Sequence, residues 1–249
     1  MKKISYLIGC ILLFTIFGCS TVSKIQRMSI EERKNKADNY FERKKYRRAI
    51  EYYESIVFER NSVHTADSQM RLADSYYLMD NFLDARYEYE EMIRLFPDYD
   101  GIDKAYFNIG ICFMESSSGP HHTQSETLKS IDAFKIYMEK FPFNEKKEIL
   151  EYIAEMNYKL LEKKFLNGYI YYKTLDFSAA LMYFDEIIEL GNINEVDKNS
   201  LYYSALIYLK RKNNEKSEST ISRLLDRYPD SKEAEKIIKA KTKSDKKNQ

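Results

Sequence analysis

The chain has 249 residues, of which 44% are apolar, and its 40 basic side chains nearly balance its 39 acidic ones. This apolar content is too high for a disordered chain, and the charge balance excludes a basic nucleic-acid-binding arm. Seven glycines and four prolines are too few for an all-β fold with many tight turns or for glycine loops around phosphates. The aromatic content is high without tryptophan, at 22 tyrosines and 14 phenylalanines.

An apolar run at residues 4–17 (ISYLIGCILLFTIF) follows two lysines and ends before Gly18-Cys19-Ser20. A run of 14 residues is short for a bilayer span, which takes about 20 residues, but it suits a secretory signal with a basic start. The alternative is an uncleaved N-terminal anchor helix, which no stop-transfer pattern supports. We therefore predict a signal peptide over residues 1–18.

Ile16-Phe17-Gly18-Cys19 resembles the lipobox of bacterial lipoproteins, in which a small residue precedes a cysteine that is acylated and becomes the mature N-terminus. Phe17 stands where a smaller residue is usual, and Cys10 has too few apolar residues before it to be the modified cysteine. The resemblance implies that Cys19 carries lipid, with residues 19–28 as a linker. Three acyl chains exceed what stable membrane anchoring needs. Ser20, in place of Asp, implies the outer membrane by the sorting rule of proteobacterial lipoproteins.

A repeated pattern of small and aromatic residues extends through the rest of the chain. Small residues occur at Ala37, Ala73, Gly110, Gly168 and Ala205, each with an aromatic residue three positions later. A second small residue and a large side chain follow where a partner helix would lie, and Pro97, Pro142 and Pro229 end three of these second helices. This is the tetratricopeptide pattern. It predicts an all-α tetratricopeptide-repeat superhelix of five helix-turn-helix repeats.

The repeats define the predicted domains. Repeats one to three occupy residues 29–142, and repeats four and five occupy 143–235, followed by a Lys-rich tail at 236–249 that is expected to be frayed. A loop at 116–124 interrupts repeat three, and apolar residues at helical spacing over 145–161 predict a longer helix leading into repeat four. Ser29 with Glu32 reads as a capping box, and Asp100 and Asn144 stand where helix N-caps are expected.

The sequence contains no recognisable catalytic or metal-binding constellation. His121 and His122 are adjacent but lack a third ligand at a fixed spacing, so a solvated pair is expected, and Cys112 is expected to be a buried, inert thiol. No nucleophile motif, zinc-binding motif or phosphate loop is present. We predict a protein that is not an enzyme and that uses no cofactor or metal.

Stacked repeats present their first helices as a concave binding wall. Counting from the repeat frame places aromatic, methionine and charged residues on this wall, a mixture that suits an extended or hairpin peptide with aromatic side chains. The alternative is that these rings only pack helix against helix. The five cations of Arg43-Lys44-Lys45 and Arg47-Arg48 are either a solvated turn or a contact for anionic lipid headgroups or an acidic partner.

The lipobox, the five repeats, the insertion in the third and the long helix into the fourth together resemble the BamD family, the lipoproteins of the β-barrel assembly machinery. The resemblance covers essentially the whole mature chain. It implies an adaptor at the periplasmic face of the outer membrane that binds the aromatic-ended targeting segment of unfolded β-barrel proteins. It also implies docking to a BamA-like barrel protein and sometimes to other assembly lipoproteins, with no role in nucleic-acid binding. Transferred by repeat geometry, the peptide-binding role falls on Phe41, Met70, Asp74, Tyr77, Phe107 and Met114, and the docking role on Tyr172, Tyr202 and Arg223.

A scaffold lipoprotein of another envelope system is the alternative. A secretin pilot has a similar lipid anchor and similar repeats. A Tol-type coordinator usually carries an N-terminal coiled coil before its repeats, and no heptad run of that length precedes Ala37. The sequence therefore favours the barrel-assembly adaptor while leaving the secretin pilot open.

Overall fold

The computed structural model describes residues 24–60 and 62–246. Cys19 and the predicted signal peptide lie outside these residues. The described part is helical, with no strand within it. Its helices are α1 (Ile30–Glu42), α2 (Tyr46–Val57), α3 (Thr65–Tyr77), α4 (Phe82–Leu95), α5 (Ile102–Glu115), α6 (Ser125–Lys140), α7 (Lys147–Lys173), α8 (Phe177–Glu189), α9 (Glu195–Lys210), α10 (Asn214–Arg227) and α11 (Lys232–Asp245).

Successive helices form the hairpins of the repeats. Helices α1 and α2, α3 and α4, and α9 and α10 pack as pairs, and α11 packs on α9 and α10. Glycines in α5 and α7 contact phenylalanines of α6 and α8, respectively. The predicted all-α tetratricopeptide fold is confirmed, and so is the long helix into the fourth repeat, because α7 is one helix of 27 residues.

The small residues of the pattern lie where two helices meet. Ala37, Ala73 and Ala205 have no exposed surface. A Cβ atom added to Gly110 would lie 2.5 Å from Cε1 of Phe134, and one added to Gly168 would lie 2.8 Å from Cε1 of the phenylalanine in the next helix. The first helix of each repeat therefore approaches its partner closely enough for a large ring to fill the adjoining space.

The described residues divide into two compact units. Unit 1 consists of the described residues up to Ser117 together with Leu128–Ile149, and unit 2 consists of Ser118–Thr127 and the described residues from Leu150 onward. Each unit has its own buried core. The largest fully buried side chains include Tyr53, Tyr89 and Phe134 in unit 1 and Phe184 and Leu201 in unit 2.

Helix ends agree with the sequence prediction at some positions only. Ser29 and Glu32 form the predicted capping box. The N-cap predictions for Asp100 and Asn144 were wrong: α5 is preceded by Gly101 at φ +87°, and α7 begins at Lys147. The amide of Asn144 instead donates to Asp103 Oδ2, at 2.9 Å, which holds the loop after α6 on α5.

The predicted fraying of the tail from residue 236 was also wrong as far as Asp245. Helix α11 includes these residues, and the side chain of Ser231 caps it by accepting from the backbone N–H of Ala234. Ile237 is fully buried in the core of unit 2. One apolar face is enough to hold an otherwise lysine-rich helix in place, because burying each aliphatic side chain contributes about 1.5–3 kcal/mol.

Candidate functional site

The first helices of the three repeats in unit 1, α1, α3 and α5, are linked by ion pairs. Lys34 Nζ of α1 lies 2.6 Å from Asp67 Oδ2 of α3, and Lys104 Nζ of α5 lies 2.7 Å from Asp74 Oδ2 of α3. We call the surface formed by these three helices the inner face of unit 1. The six residues predicted to bind peptide all belong to its helices.

Asp74 is the centre of a buried hydrogen-bond network. The hydroxyl of Tyr89 donates to Asp74 Oδ1 at 2.7 Å, and the amide of Asn108 donates to the Tyr89 oxygen at 2.7 Å. Burial, followed by the neighbouring Asp74 carboxylate, raises the pKa of Tyr89 above its ordinary value. Asp74 is only 6% exposed, so it joins α3, α4 and α5 rather than presenting a free charge on the inner face.

Asp38 occupies the equivalent position one repeat earlier. It accepts from the Tyr53 hydroxyl at 2.7 Å and from Lys34 Nζ at 2.7–2.8 Å. Burial opposes the charge on Lys34, but its hydrogen bonds to Asp38 and Asp67 raise its pKa above the ordinary value. Lys34 is therefore a charged bridge between α1 and α3, and its charge is already compensated.

An aromatic pocket opens beside this network. We call it the Phe41 pocket; its volume is about 340 Å³, and it is lined by Lys34, Asp38, Phe41, Glu42, Lys44, Tyr46, Tyr53 and Arg71. The ring of Tyr46 meets the Phe41 ring edge to face at a centroid distance of 5.5 Å, and Tyr53 lies beyond it at 6.5 Å. The pocket therefore has an aromatic floor with charged groups around it.

Arg71 is a cation of the Phe41 pocket whose charge, like that of Lys44, is not compensated by an ion pair within the described part of the chain. Its guanidinium carbon lies 4.9 Å from the centroid of the Phe41 ring, in position for a cation–π contact. The side chain is exposed and forms no ion pair within the described part of the chain. A guanidinium that contacts a ring and has no ion-pair partner retains N–H donors that can bind a carboxylate in a bidentate way.

The other predicted peptide-binding residues vary in exposure. Met70 is only 6% exposed and packs in the core of unit 1. Tyr77 is half-buried, with its ring edge to face with Phe82 at 5.8 Å. Phe107 is half-buried against Tyr137 at 5.9 Å, and Met114 is half-buried near the end of α5. Of the six predicted residues, Phe41 is the one that lines a pocket described here.

In unit 2, the residues predicted to dock a partner lie in two places. Tyr172 of α7 and Tyr202 of α9 both contact the ring of Tyr203, at centroid distances of 4.9 and 5.2 Å. Arg223 of α10 pairs with Glu189 of α8 at 3.6 Å, on helices other than those that carry the tyrosines. The two tyrosines thus belong to one aromatic cluster, and the arginine lies outside it.

Sequence reasoning missed Tyr203, which is the centre of that cluster. Its ring also contacts Tyr169 at 5.1 Å, and burial, followed by the neighbouring Tyr169, raises its pKa to about 12. It missed Arg71 and Tyr46 as well, and it identified Lys44 only as part of the cationic turn. Arg71 directly follows the predicted Met70, so the signal was a basic residue on a first helix. Repeat positions alone do not indicate which neighbour reaches the pocket.

The described residues, 24–60 and 62–246, contain no group of three or more His, Cys, Asp or Glu side chains that could hold a metal ion. Cys112 is a free thiol with no exposed surface, and burial raises its pKa to about 12. The expected burial of this thiol is therefore confirmed, and a raised thiol pKa disfavours the reactive thiolate. Within the same described ranges, no helix is both long and apolar enough to cross a membrane.

Comparison with known families agrees with this architecture. Residues 34–100 and residues 199–231 each match a tetratricopeptide repeat family. The chain carries tetratricopeptide repeats. Repeats of this kind are typically protein-interaction scaffolds. No curated protein sequence matches the chain closely enough to identify a relative.

Several solved structures are similar in fold. The complex of the TPR2AB domain of yeast Sti1 with pHSP90 is 14% identical with a TM-score of 0.45, and the alignment covers 82% of this chain and 80% of that one. YrrB, described as a protein with an unusual peptide-binding site, is 15% identical with a TM-score of 0.33, covering 83% and 90%. The type IV pilus biogenesis factor PilW is 12% identical with a TM-score of 0.29, covering 84% and 98%.

Proposed function

We propose that this chain is a non-enzymatic lipoprotein adaptor of the outer-membrane β-barrel assembly machinery, anchored through Cys19 at the periplasmic face of the outer membrane. In this proposal, the inner face of unit 1 binds the aromatic-ended targeting segment of unfolded β-barrel proteins. Unit 2 docks the periplasmic domains of a BamA-like barrel protein and, where present, other assembly lipoproteins. The sequence features that the predicted mature chain shares with the BamD family support the choice of the barrel-assembly system, and the tetratricopeptide repeats support the adaptor role.

The observation that carries the peptide-binding part is the chemistry of the Phe41 pocket. A chain that ends in an aromatic residue offers a ring and a terminal carboxylate close together. The pocket offers the rings of Phe41 and Tyr46 beside the uncompensated guanidinium of Arg71. Glu42, which lines the same pocket, disfavours an acidic side chain next to the terminal ring. The pocket is thus matched to an aromatic C-terminus that lacks neighbouring acids.

A binding experiment tests this match directly. The probe is a fluorescent peptide of alternating aromatic and polar residues that ends in phenylalanine, made with a free carboxylate and, separately, with a C-terminal amide. Because a hydrogen bond to a charged group contributes about 1.5–3 kcal/mol, the free acid should bind the full chain at least about tenfold more tightly than the amide. Equal affinity for the two peptides would refute carboxylate recognition.

Variants identify the group responsible. Arg71→Gln should weaken binding of the free acid about tenfold and remove the difference between acid and amide. Arg94→Gln is the control, because Arg94 is another exposed arginine of unit 1, and it pairs with Glu91 on α4, away from the Phe41 pocket. The control should bind both peptides like the unmodified chain. If Arg94→Gln and Arg71→Gln weaken binding equally, the effect is general electrostatics and the pocket assignment is wrong.

The aromatic cluster of unit 2 supports the docking part. Tyr172 and Tyr202 are half-buried, so part of each side chain is accessible, and both rings contact Tyr203. Rigid tyrosines of this kind are enriched among the residues that dominate binding energy at protein interfaces. Tyr202→Ala should therefore lower recovery of the barrel partner, whereas Tyr87→Ala, an exposed tyrosine of unit 1, should leave it unchanged.

Co-purification from detergent-solubilised membranes distinguishes the candidate systems. The proposal expects a large barrel protein with periplasmic repeat domains at near-stoichiometric yield. Recovery of a secretin or of cell-wall enzymes in its place would favour a secretin pilot or a Tol-type coordinator. The anchor is tested separately: Cys19→Ala should abolish incorporation of labelled palmitate, and continued incorporation would show that another residue is acylated.

A further inference from the structure

Five cations occur within six residues, in the turn between α1 and α2 and at the start of α2. We call Arg43, Lys44, Lys45, Arg47 and Arg48 the basic edge; all five are exposed. Arg48 pairs with Glu51 at 3.0 Å. The other four form no ion pair with any residue in the described part of the chain. The surrounding protein therefore leaves most of this charge uncompensated.

The basic edge stands where helix electrostatics disfavour it. Lys45 is the N-cap of α2 and makes no side-chain capping hydrogen bond, and the first turn of α2 contains no acidic residue. Positive side chains at a helix N-terminus oppose the helix dipole, and acidic or small polar residues are favoured there. A role in stabilising α2 thus does not explain the cluster.

The fold nevertheless holds these cations in a defined place. Lys44 adopts the left-handed conformation at φ +57°, and its backbone N–H donates to the carbonyl of Phe41 at 2.9 Å. The Tyr46 ring packs edge to face on Phe41. Contacts of Lys44 and Tyr46 with Phe41 therefore hold the turn against α1, while the side chains of the basic edge are exposed to solvent.

Exposed apolar side chains lie next to the basic edge. The turn between α3 and α4 contributes Met79, which is 39% exposed, and Leu78, which is 46% exposed. Met79 and four residues of the basic edge line an open, shallow depression of about 420 Å³. Glu42 and Asp80 are the acidic residues adjoining these two turns, so cations remain in excess.

We propose that the basic edge contacts the headgroup phosphates of an anionic phospholipid surface, with Met79 and Leu78 entering its interfacial layer. Cations next to exposed apolar side chains are the combination that binds anionic bilayers. A shallow depression between two helix turns suits a headgroup on a planar surface, whereas an acidic peptide needs a longer groove to hold its backbone.

The proposal also defines an orientation relative to the membrane. Helix α1 has 13 residues and is about 20 Å long. The basic edge is at the C-terminal end of α1, so the proposal places that end of the helix at the membrane surface. This inference relies on membrane attachment, but it does not depend on the barrel-assembly role.

The test uses the full chain held in vesicles by its N-terminal segment, either of phosphatidylcholine alone or of phosphatidylcholine with phosphatidylglycerol. The measurement is the acetylation rate of individual lysines by mass spectrometry. Lys44 and Lys45 should react at least about fivefold more slowly with phosphatidylglycerol present, since each basic residue near such a surface contributes about 1 kcal/mol, and high salt should restore their reactivity. Lys239 and Lys243, exposed on α11 of unit 2, are internal controls that should react equally in both vesicles.

A pair of variants tests whether the cations act together. Lys45→Gln/Arg47→Gln should remove the lipid-dependent protection of Lys44, whereas Lys239→Gln/Lys243→Gln removes the same charge elsewhere and should preserve it. Circular dichroism checks that both variants keep their helices. Unchanged protection of Lys44 in the first variant would overturn the proposal.

Two further arms identify the source of the anion. Inorganic phosphate added to phosphatidylcholine vesicles should protect neither lysine; equal protection would make the edge a site for free anions. Poly-glutamate should protect less than phosphatidylglycerol at equal charge concentration, and the reverse order would indicate an acidic protein partner. Loss of the lipid effect with normal peptide binding and co-purification would refute this inference alone.

Discussion

Replacing Gly110 by alanine is expected to destabilise unit 1, although alanine is the better helix former. A Cβ atom at this position would lie 2.5, 2.6 and 3.0 Å from Cε1, Cδ1 and Cζ of Phe134. Carbon atoms in favourable contact are about 3.5–4.0 Å apart, so the ring would have to move by about 1 Å. Phe134 is fully buried and has Phe107 on one side, at 6.1 Å, which leaves little room for that movement.

Two opposing effects determine the magnitude. Gly to Ala in a helix interior stabilises by about 1 kcal/mol, whereas overpacking a core costs about 1–3 kcal/mol. Because the contact is as short as 2.5 Å and the ring is fully buried, the upper part of the overpacking range applies, about 2–3 kcal/mol. The expected net loss in the free energy of unfolding is therefore about 1–2 kcal/mol. Urea unfolding of the full chain, followed by circular dichroism, measures it. Gly119→Ala is the control, because an added Cβ there meets no atom within 4 Å, and it should change stability by less than about 0.5 kcal/mol.

A double variant tests the physical cause. If the Phe134 ring is the obstacle, Phe134→Leu should cost less in the Gly110→Ala background than in the unmodified chain, by about 0.5 kcal/mol or more. Additive effects of the two substitutions would mean that no steric contact couples them. A Gly110→Ala variant as stable as the unmodified chain would refute the reasoning, because helix propensity would then outweigh the close approach of α5 and α6.

Two further predictions concern buried polar groups. Asp74→Ala should lower the free energy of unfolding by about 2–3 kcal/mol in urea titrations, because it leaves the buried Tyr89 hydroxyl without its acceptor, whereas Asp98→Ala, at an exposed site, should be nearly neutral. Burial, as the largest cause, raises the pKa of both Tyr203 and Tyr228 to about 12. An unfolded tyrosine ionises near pH 10, so the two folded tyrosines stay neutral at a pH where the unfolded chain already loses their protons. Their contribution to the free energy of unfolding is therefore complete below about pH 10 and is lost as the pH rises towards 12. Tyr228→Phe should flatten part of this decline in unfolding midpoints measured from about pH 8 to about pH 11, and an unchanged slope would contradict the assignment.

The repeat positions were predictable because they depend on steric size alone. Ala37 and Ala73 are buried as the spacing predicted, and the second-helix rings Tyr53 and Tyr89 fill the space beside them. The Ser29 capping box was predictable for a similar reason, since its two hydrogen bonds close over four residues. Both features depend on residues a few positions apart or on a spacing that recurs along the chain, so the sequence alone is enough to predict them.

The candidate site was only partly predictable. Repeat counting identified Phe41 on a first helix, but it also selected Met70 and Asp74, which are buried. It missed Arg71, which is fixed on the Phe41 ring across two repeats. The position of a residue in a helix determines the face on which its side chain lies. Whether that side chain is buried depends on the side chains of the neighbouring helix that pack against it. The start of α5 was missed for a local reason, because Gly101 adopts the left-handed conformation at φ +87° and takes the N-cap position in place of Asp100.

By itself, the sequence determined the helical class, the repeat frame and the prediction of a lipid anchor at Cys19, because each depends on residue types at short, regular spacing. The tertiary structure decided which charges remain available. Lys34 and Asp74 are neutralised by partners from adjacent helices, whereas Arg71 and four of the five cations of the basic edge form no ion pair within the described part of the chain. Pairing between residues about 30 positions apart depends on how the hairpins stack. The same stacking determines which of the many aromatic rings are buried in the core and which line the Phe41 pocket.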